Sequence, residues 1–237
     1  MKILAIDSSS IVATVALIED DTILTEYSVN HKKTHSQTLL PMIDEIMRMS
    51  EQDVNSLDAI AVSGGPGSFT GLRIGSAVAK GLGFVIDKPL IHIPTLDGLA
   101  YNMYGYDKLI CPIMDARRSQ VYTGLYHFEN CKFVCDLEQC QKDIHDLISV
   151  INETGREVVF LGDGVKVYKS VIEEEVEVMY EFAPAHMNMQ RAASVAALAV
   201  EYYKQGKTES AEEHEPNYLR KSQAERELEE KNASSKQ

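Results

Sequence analysis

Apolar residues come in short runs along the first hundred positions, and the residues that interrupt them set the elements. Residues 2–7 form a brief apolar run that ends at Asp7-Ser8-Ser9-Ser10. Val12 to Ile18 alternates apolar and small or polar positions and breaks at Glu19-Asp20-Asp21, so the two runs predict a hairpin, with a third strand over about Thr22 to Val29. Thr34-His35-Ser36-Gln37 has the form of a capping box, which opens a helix running to about Ser50. A strand at 57–62, a glycine-dense loop and a second helix to about Ile86 follow, with Thr70 placed to accept from first-turn amides. Leu90 to Ile93 then predicts a strand and Thr95 the start of a short helix.

From Leu109 the same order begins again. Leu109 to Met114 is apolar and ends at Asp115, Gln120 to Phe128 alternates, Lys132 to Leu137 predicts a third strand, and Asp143 to Ile151 a helix. Val158 to Leu161 predicts a strand that runs into Gly162-Asp163-Gly164 and a helix; a strand near Val176 to Met179 and a helix from about Met189 to Lys204 complete the half. Both halves read β-β-β-α-β-α-β-α. Asp7 matches Asp115 in this duplication, and the loop at 63–67 matches that at 162–164. Two tandem α/β subdomains are therefore expected, over 1–105 and 106–212, each a mixed sheet with helices in the actin, Hsp70 and sugar-kinase arrangement. A polar tail over 213–237 is expected to dock around 216–220 and to lack order after about 225.

The loop Ser63-Gly64-Gly65-Pro66-Gly67-Ser68 invites comparison with nucleotide cradles, and it fails both. No glycine in it starts Gly-x-x-x-x-Gly-Lys-Ser/Thr, and a Gly-x-Gly-x-x-Gly reading from Gly65 and Gly67 puts Thr70 at the third glycine. Asp7, and Asp115 with Arg117 and Arg118, could hold a magnesium-bound phosphate from opposite sides, with Gly162 and Gly164 as the weaker nucleotide-facing candidates; equally, acids at strand ends satisfy turn amides. His31 and His35 have helical metal-pair spacing, but an N-cap at Thr34 leaves His31 outside the helix.

The two predicted helices carry more information. Leu39, Leu40, Met42, Ile43, Ile46, Met47 and Met49 fill half of the first helical wheel, about twice the arc of about 100° that a helix lying on its own sheet needs. The second is rich in glycine and alanine, with Leu72, Ile74, Val78, Leu82 and Val85 and only Arg73 and Lys80 strongly polar. Two helices more apolar than one subdomain requires predict a helix–helix interface with another subunit, the alternative being a thick internal core.

Composition narrows the remainder. The 237 residues are 44% hydrophobic and 25% charged, with a net charge of −13 and no long basic run, which argues against gripping nucleic acid unaided. A charge within the first apolar residues predicts no signal peptide, no uninterrupted apolar run reaches the length of a bilayer span, and a cytoplasmic protein is expected. Cys111, Cys131, Cys135 and Cys140 lack Cys-x-x-Cys spacing and read as reduced thiols.

Ala5-Ile6-Asp7-Ser8-Ser9, His35-Ser36-Gln37-x-Leu39-Leu40-Pro41, the block over 63–75, Met114-Asp115-Ala116-Arg117-Arg118 and Pro216-x-Tyr218-Leu219-Arg220 occur in one order, and together they resemble the bacterial TsaB (YeaZ) family over nearly the whole chain. The resemblance implies an actin-like/RNase H-like (ASKHA superfamily) fold. It implies a non-catalytic subunit of the complex that moves threonylcarbamoyl from threonylcarbamoyl-AMP to N6 of adenosine 37 in tRNAs reading ANN codons. The implied partners are the paralogous catalytic subunit TsaD, bound through the first two helices, and the ATPase TsaE; tRNA is met only through the complex, and the chain alone forms homodimers. The implied contact residues are His35, Leu39, Leu40, Met42, Ile43, Ile46, Met47, Ile74, Ala77, Val78 and Gly81. TsaD-type chains carry Asn-His-x-x-x-His where this one has Pro94-Thr95-Leu96-Asp97-Gly98-Leu99. Thr95 and Leu99 replace the two metal-binding histidines, so no catalytic residue, catalytic metal or cofactor is expected. An ATPase or phosphotransferase using Asp7 and Asp115 is the competing reading.

Overall fold

The computed structural model describes residues 1–31 and 34–219. Its element order repeats. β1 (Lys2–Asp7), β2 (Val12–Glu19), β3 (Thr22–Asn30), α1 (His35–Met49), β4 (Ala59–Ser63), α2 (Phe69–Ile86), β5 (Leu90–Ile93) and α3 (Thr95–Ala100) make the first half. β6 (Leu109–Asp115), β7 (Gln120–Glu129), β8 (Lys132–Asp143), α4 (Ile144–Thr154), β9 (Val158–Leu161), α5 (Gly164–Glu175), β10 (Tyr180–Phe182) and α6 (Ala192–Lys204) make the second. The sheets are ordered β3-β2-β1-β4-β5 and β10-β9-β6-β7-β8, which is the same order in each half. In both, the first strand pairs antiparallel with the second (Lys2↔Glu19, Ile110↔Tyr126) and parallel with the fourth (Ile3↔Ala59, Leu109↔Val158).

Strict period-2 alternation gives each sheet two buried faces. Leu4 and Ile6 face one way, with Val15, Leu17, Ile60 and Val62, and are covered by α1 and α2. Ile3 and Ala5 face the other way and are covered by α6. In the second half Cys111 and Ile113 pack under α4 and α5, while Ile110 and Met114 pack against Leu96, Leu99 and Ala100 of α3. The last helix of each repeat thus covers the sheet of the other, and the two cores interlock across the sequence boundary near residue 105. Bonds at the N-terminal end of α6 fix the exchange: Ala192 N donates to Thr14 Oγ1 at 3.1 Å, Arg191 Nη2 to Glu26 Oε2 at 2.6 Å, and Asn102 Nδ2 to Met189 O at 2.8 Å.

Several local expectations are corrected. Thr34 is the N-cap of α1, but its side chain accepts no amide; the predicted capping box is replaced by a backbone bond from Gln37 N to Thr34 O at 2.9 Å. Ser68, not Thr70, caps α2, accepting from Gly71 N at 3.3 Å. The strand expected near Val176 to Met179 lies at Tyr180–Phe182, where it pairs in parallel with Val158–Phe160. β8 runs on past Leu137 to Asp143 through polar residues, as an edge strand can. Besides the contacts of Asn217 and Tyr218 in the segment expected to dock, the chain is held before it, where Glu209 makes an antiparallel bridge to Leu90. Arg220 and the segment expected to lack order lie outside the described residues.

Candidate functional site

β4 delivers Ser63 into the glycine loop, and three of the loop's amides are already engaged. Gly64 N donates to Ile93 O (2.8 Å), Gly65 N to Thr95 Oγ1 (3.1 Å) and Ser68 N to Ser9 O (2.7 Å). A phosphate cradle needs such amides to converge on an empty space; here they bond to neighbouring strands and helices. Two glycines are required by close approach. A Cβ at Gly67 would meet Ser9, 2.9 Å from its Cβ, and one at Gly71 would overlap the Ser8 carbonyl oxygen. The loop is therefore a packing joint that seats α2 on the end of β1.

Asp7 lies at that joint, 1% exposed. Its Oδ1 accepts from Ser9 N (2.8 Å) and Ser9 Oγ (2.7 Å), and its Oδ2 from Ser63 Oγ (2.6 Å). Burial raises its pKa above the ordinary carboxylate value, while the bonds from Ser63 and Ser9 pull it back. The geometry is that of an acid holding a turn together. Asp115, its counterpart, is exposed; Oδ1 accepts from Arg117 N (2.8 Å) and Tyr168 Oη (3.1 Å). Its amide donates to Asp163 Oδ1 at 3.1 Å, so each acid meets the glycine turn of its own repeat. Gly162 sits at φ +105° with its amide donating to Asn188 O at 2.7 Å, and a Cβ at Gly164 would lie 3.0 Å from Ile113 O. Arg117 and Arg118 stand exposed in left-handed backbone, φ 64° and 56°.

The positions that would carry a TsaD-type metal pair are filled by packing groups. Thr95 is 0% exposed, its hydroxyl engaged by Gly65, and Leu99 is 1% exposed in the core under α3. His35 Nε2 donates to Ser10 O at 2.8 Å and pins the start of α1 to the β1–β2 turn, whereas His31 is exposed. Cys111 and Cys135 have pKa values pushed up by burial, to about 12 and about 11, which keeps both as thiols.

The expected partner face divides sharply. Leu39, Met42, Ile43, Ile46 and Met47 are at most 7% exposed and belong to the core beneath α1, which packs on β2, β3 and α2 at once. The wide apolar arc of α1 is thus consumed internally, apart from Leu40 at 53% and Met49 at 63%. On α2, Ile74 and Val78 are half-buried, while Ala77 and Gly81 are exposed and Gly81 has open space around it. The sequence reading missed Phe84, 78% exposed beside Val85 at 81%. The signal was available: Arg73, Ala77, Gly81 and Phe84 follow one helical face at spacings of four, four and three. At the N-terminal end of this face, Tyr218 of the tail stacks on Phe69 with centroids 4.7 Å apart, and the Arg73 guanidinium lies 4.1 Å from the Phe69 centroid. α2 is long and apolar enough to cross a membrane by length and composition, with a mean hydropathy of 1.3; in the fold one side of it serves the core and the other is this exposed strip.

A family model described as TsaD, tRNA N6-adenosine threonylcarbamoyltransferase, matches residues 22–228. A Bacillus subtilis protein named tRNA threonylcarbamoyladenosine biosynthesis protein TsaB is 36% identical over 231 residues, covering 95% of this chain and 96% of the relative. Its Escherichia coli namesake is 29% identical over 231 residues, covering 93% and 95%. The solved structure of YeaZ from Pseudomonas aeruginosa superposes with a TM-score of 0.76 at 24% identity, covering 92% of this chain and 99% of that one. The fold is accordingly the YeaZ one, two mixed sheets with helices in tandem. Near-complete coverage by relatives of one name, with the fold and motif order to match, makes this chain a member of the TsaB (YeaZ) family of tRNA threonylcarbamoyladenosine biosynthesis proteins.

Proposed function

We propose that this chain is a non-catalytic, cytoplasmic subunit that binds and stabilises a TsaD-like catalytic subunit. The assembly would transfer threonylcarbamoyl from threonylcarbamoyl-AMP to N6 of adenosine 37 in tRNAs reading ANN codons. The observation that carries this reading is the strip on α2, where Ala77 and Gly81 permit close backbone approach and Phe84 and Val85 offer large exposed apolar side chains; Leu40 of α1 is likewise exposed. Small residues flanked by an aromatic anchor suit a helix packing against another helix. A TsaE-like ATPase joins the pair, tRNA is reached through the complex, and the same strip pairs two copies when the partner is absent. The acidic balance of the chain agrees with an RNA contact made by another subunit.

Reconstitution tests the reading. The chain, TsaD-like and TsaE-like proteins, tRNA and threonylcarbamoyl-AMP are combined, and modified adenosine is measured by mass spectrometry of nucleosides. Modification is expected only when this chain is present, and none when it is the only protein; Leu40→Glu is expected to reduce it with the fold intact. Equal modification without this chain would sink the proposal.

A further inference from the structure

Outside the loop and the partner strip, one cluster has the chemistry of a cation site. His92, Glu209 and His214 each offer a ligand-type atom within 4.8 Å of the others. They come from different parts of the chain and are held by backbone. His92 lies on β5, two residues beyond Leu90. Leu90 N donates to Glu209 O at 2.8 Å and Glu209 N to Leu90 O at 2.9 Å, which locks the tail to that strand. His214 follows on the same tail; its amide donates to Ser210 O, and its carbonyl accepts from Lys80 Nζ of α2 at 2.8 Å. Gly64 leaves the room in which the His92 ring sits, since a Cβ there would overlap that ring.

A second observation points to a ligand. The side chain of His214 is 0% exposed, with Nδ1 held 2.5 Å from Glu209 Oε1. A carboxylate accepts, so Nδ1 donates to it, and Nε2 is the ring nitrogen left to meet a ligand. That Nε2 is buried with no hydrogen-bond partner. A buried acceptor left unpaired is destabilising, and a carboxylate that fixes one imidazole nitrogen while the other is left open is the usual support for a metal-binding histidine. The His92 ring stands 5.6 Å away, centroid to centroid.

We propose that His92 and His214, with Glu209 as ligand or as the group that orients His214, bind one divalent zinc ion, and that the ion clamps the tail onto β5 and the glycine loop. Two imidazoles and a carboxylate with a water in the fourth position are a standard donor set for zinc. Ligands around a tetrahedral zinc stand about 3.3 Å apart at the usual bond lengths of about 2.0–2.1 Å, inside the 4.8 Å within which these three atoms lie. The clamp is structural and separate from the TsaD-type metal positions, which Thr95 and Leu99 fill. By holding residues 209–214, it sets where Asn217 N reaches Gly64 O (2.6 Å) and where Tyr218 meets Phe69.

The test uses the full chain stripped with chelator. Zinc is titrated against a chromophoric competitor, and cobalt is added as a spectroscopic substitute. One equivalent of zinc is expected, with a visible cobalt spectrum of four-coordinate type and a raised Tm. His92→Gln and His214→Gln should each weaken binding by about 100-fold or more, and Glu209→Gln by about tenfold or more, whereas His186→Asn, at an exposed histidine elsewhere, should not. Circular dichroism of the stripped variants separates lost binding from lost folding. Should His214→Gln fail to fold, His92→Gln decides, because its site is only half-buried. No saturable binding tighter than about 100 μM, which corresponds to about 5.5 kcal/mol, or binding unchanged in His92→Gln, overturns the proposal.

Discussion

Phe84→Ala is the sharpest test of the partner strip, because the structure separates its effect on binding from its effect on folding. Phe84 is 78% exposed, so the isolated chain gains little from it. Surface truncations of this kind stay within about 0.5 kcal/mol of wild-type stability. Burying a phenylalanine side chain fully is worth about 1.5–3 kcal/mol, and nearly four-fifths of that surface remains available to a partner. The Cβ survives in alanine, so the expected loss on binding is about 2 kcal/mol, or about 30-fold in Kd at 1.4 kcal/mol per tenfold. Val85→Ala removes two methyl groups from a residue 81% exposed and should cost about 1.3 kcal/mol, close to tenfold. Isothermal titration of the TsaD-like subunit, performed below the concentration at which this chain pairs with itself, reads both. Ile43→Glu cannot serve the same purpose: at 5% exposure Ile43 is core, and a charge there unfolds α1 from its sheet. Affinities within twofold of wild type for both Phe84→Ala and Val85→Ala, at unchanged Tm, would refute the placement of the interface.

Gly71→Ala sets a methyl group against the Ser8 carbonyl oxygen and should cost about 1–3 kcal/mol in urea unfolding; an unchanged midpoint would mean that α2 does not sit on β1 as described. Gly81→Ala meets nothing within 4 Å and lies inside a helix, so it should stabilise the free chain by about 0.5–1 kcal/mol while weakening partner binding. A loss of stability there counts against the exposed placement. Asp7→Asn tests the buried acid through pH. The folded pKa is raised above the ordinary 3.8, so folding favours the protonated form, and Asp7's contribution is full below that ordinary value and declines as pH rises through the folded value. Wild type minus variant stability should therefore fall as pH increases from about 4, and a difference that rises over that range would contradict the burial. Tyr218→Ala removes the ring stacked on Phe69 and should release the tail to limited proteolysis, leaving the Tm of the body almost unchanged.

Much of this architecture can be read in the sequence because it rests on local periodicity. The runs at Leu90–Ile93 and Val158–Leu161 are bounded by turn residues on both sides, and their strands occupy those same residues. The duplication is equally visible, as both halves repeat one element order. What escaped is set by contacts between distant segments. A helix shows in its sequence that it has an apolar face, but not whose sheet that face covers, so the exchange of α3 and α6 is invisible in periodicity. For the same reason the apolar arc of α1 was taken as surplus: three neighbours converge on it, and a wheel counts only one. Val176 to Met179 alternates well, yet the parallel register with β9 selects Tyr180–Phe182 instead. His92 carries no motif signal of its own, because its companions lie more than a hundred residues away on a tail whose composition reads as solvated.

The glycine loop keeps the backbone course of an anion cradle while its own contacts fill the cradle. Strand, tight turn and helix N-terminus remain, which is the arrangement that favours an anion. The space an anion would need is occupied from three directions. Ser8 and Ser9 close it from β1, Thr95 from α3, and Asn217 from the tail, whose amide donates to Gly64 O. Each contact takes up a loop donor or acceptor, so binding a phosphate would require breaking bonds already made at 2.6–3.1 Å. Those same contacts press the inner side of α2 onto β1, with Gly71 and Gly75 against Ser8, and a helix seated that deeply by its glycines turns its remaining side outward. The outer side carries Ala77, Gly81, Phe84 and Val85. The close packing that fills the loop is therefore what leaves the strip exposed, and if the proposed partner binds there, substitutions at Gly71 that lift α2 should weaken that binding even though the residue is itself buried.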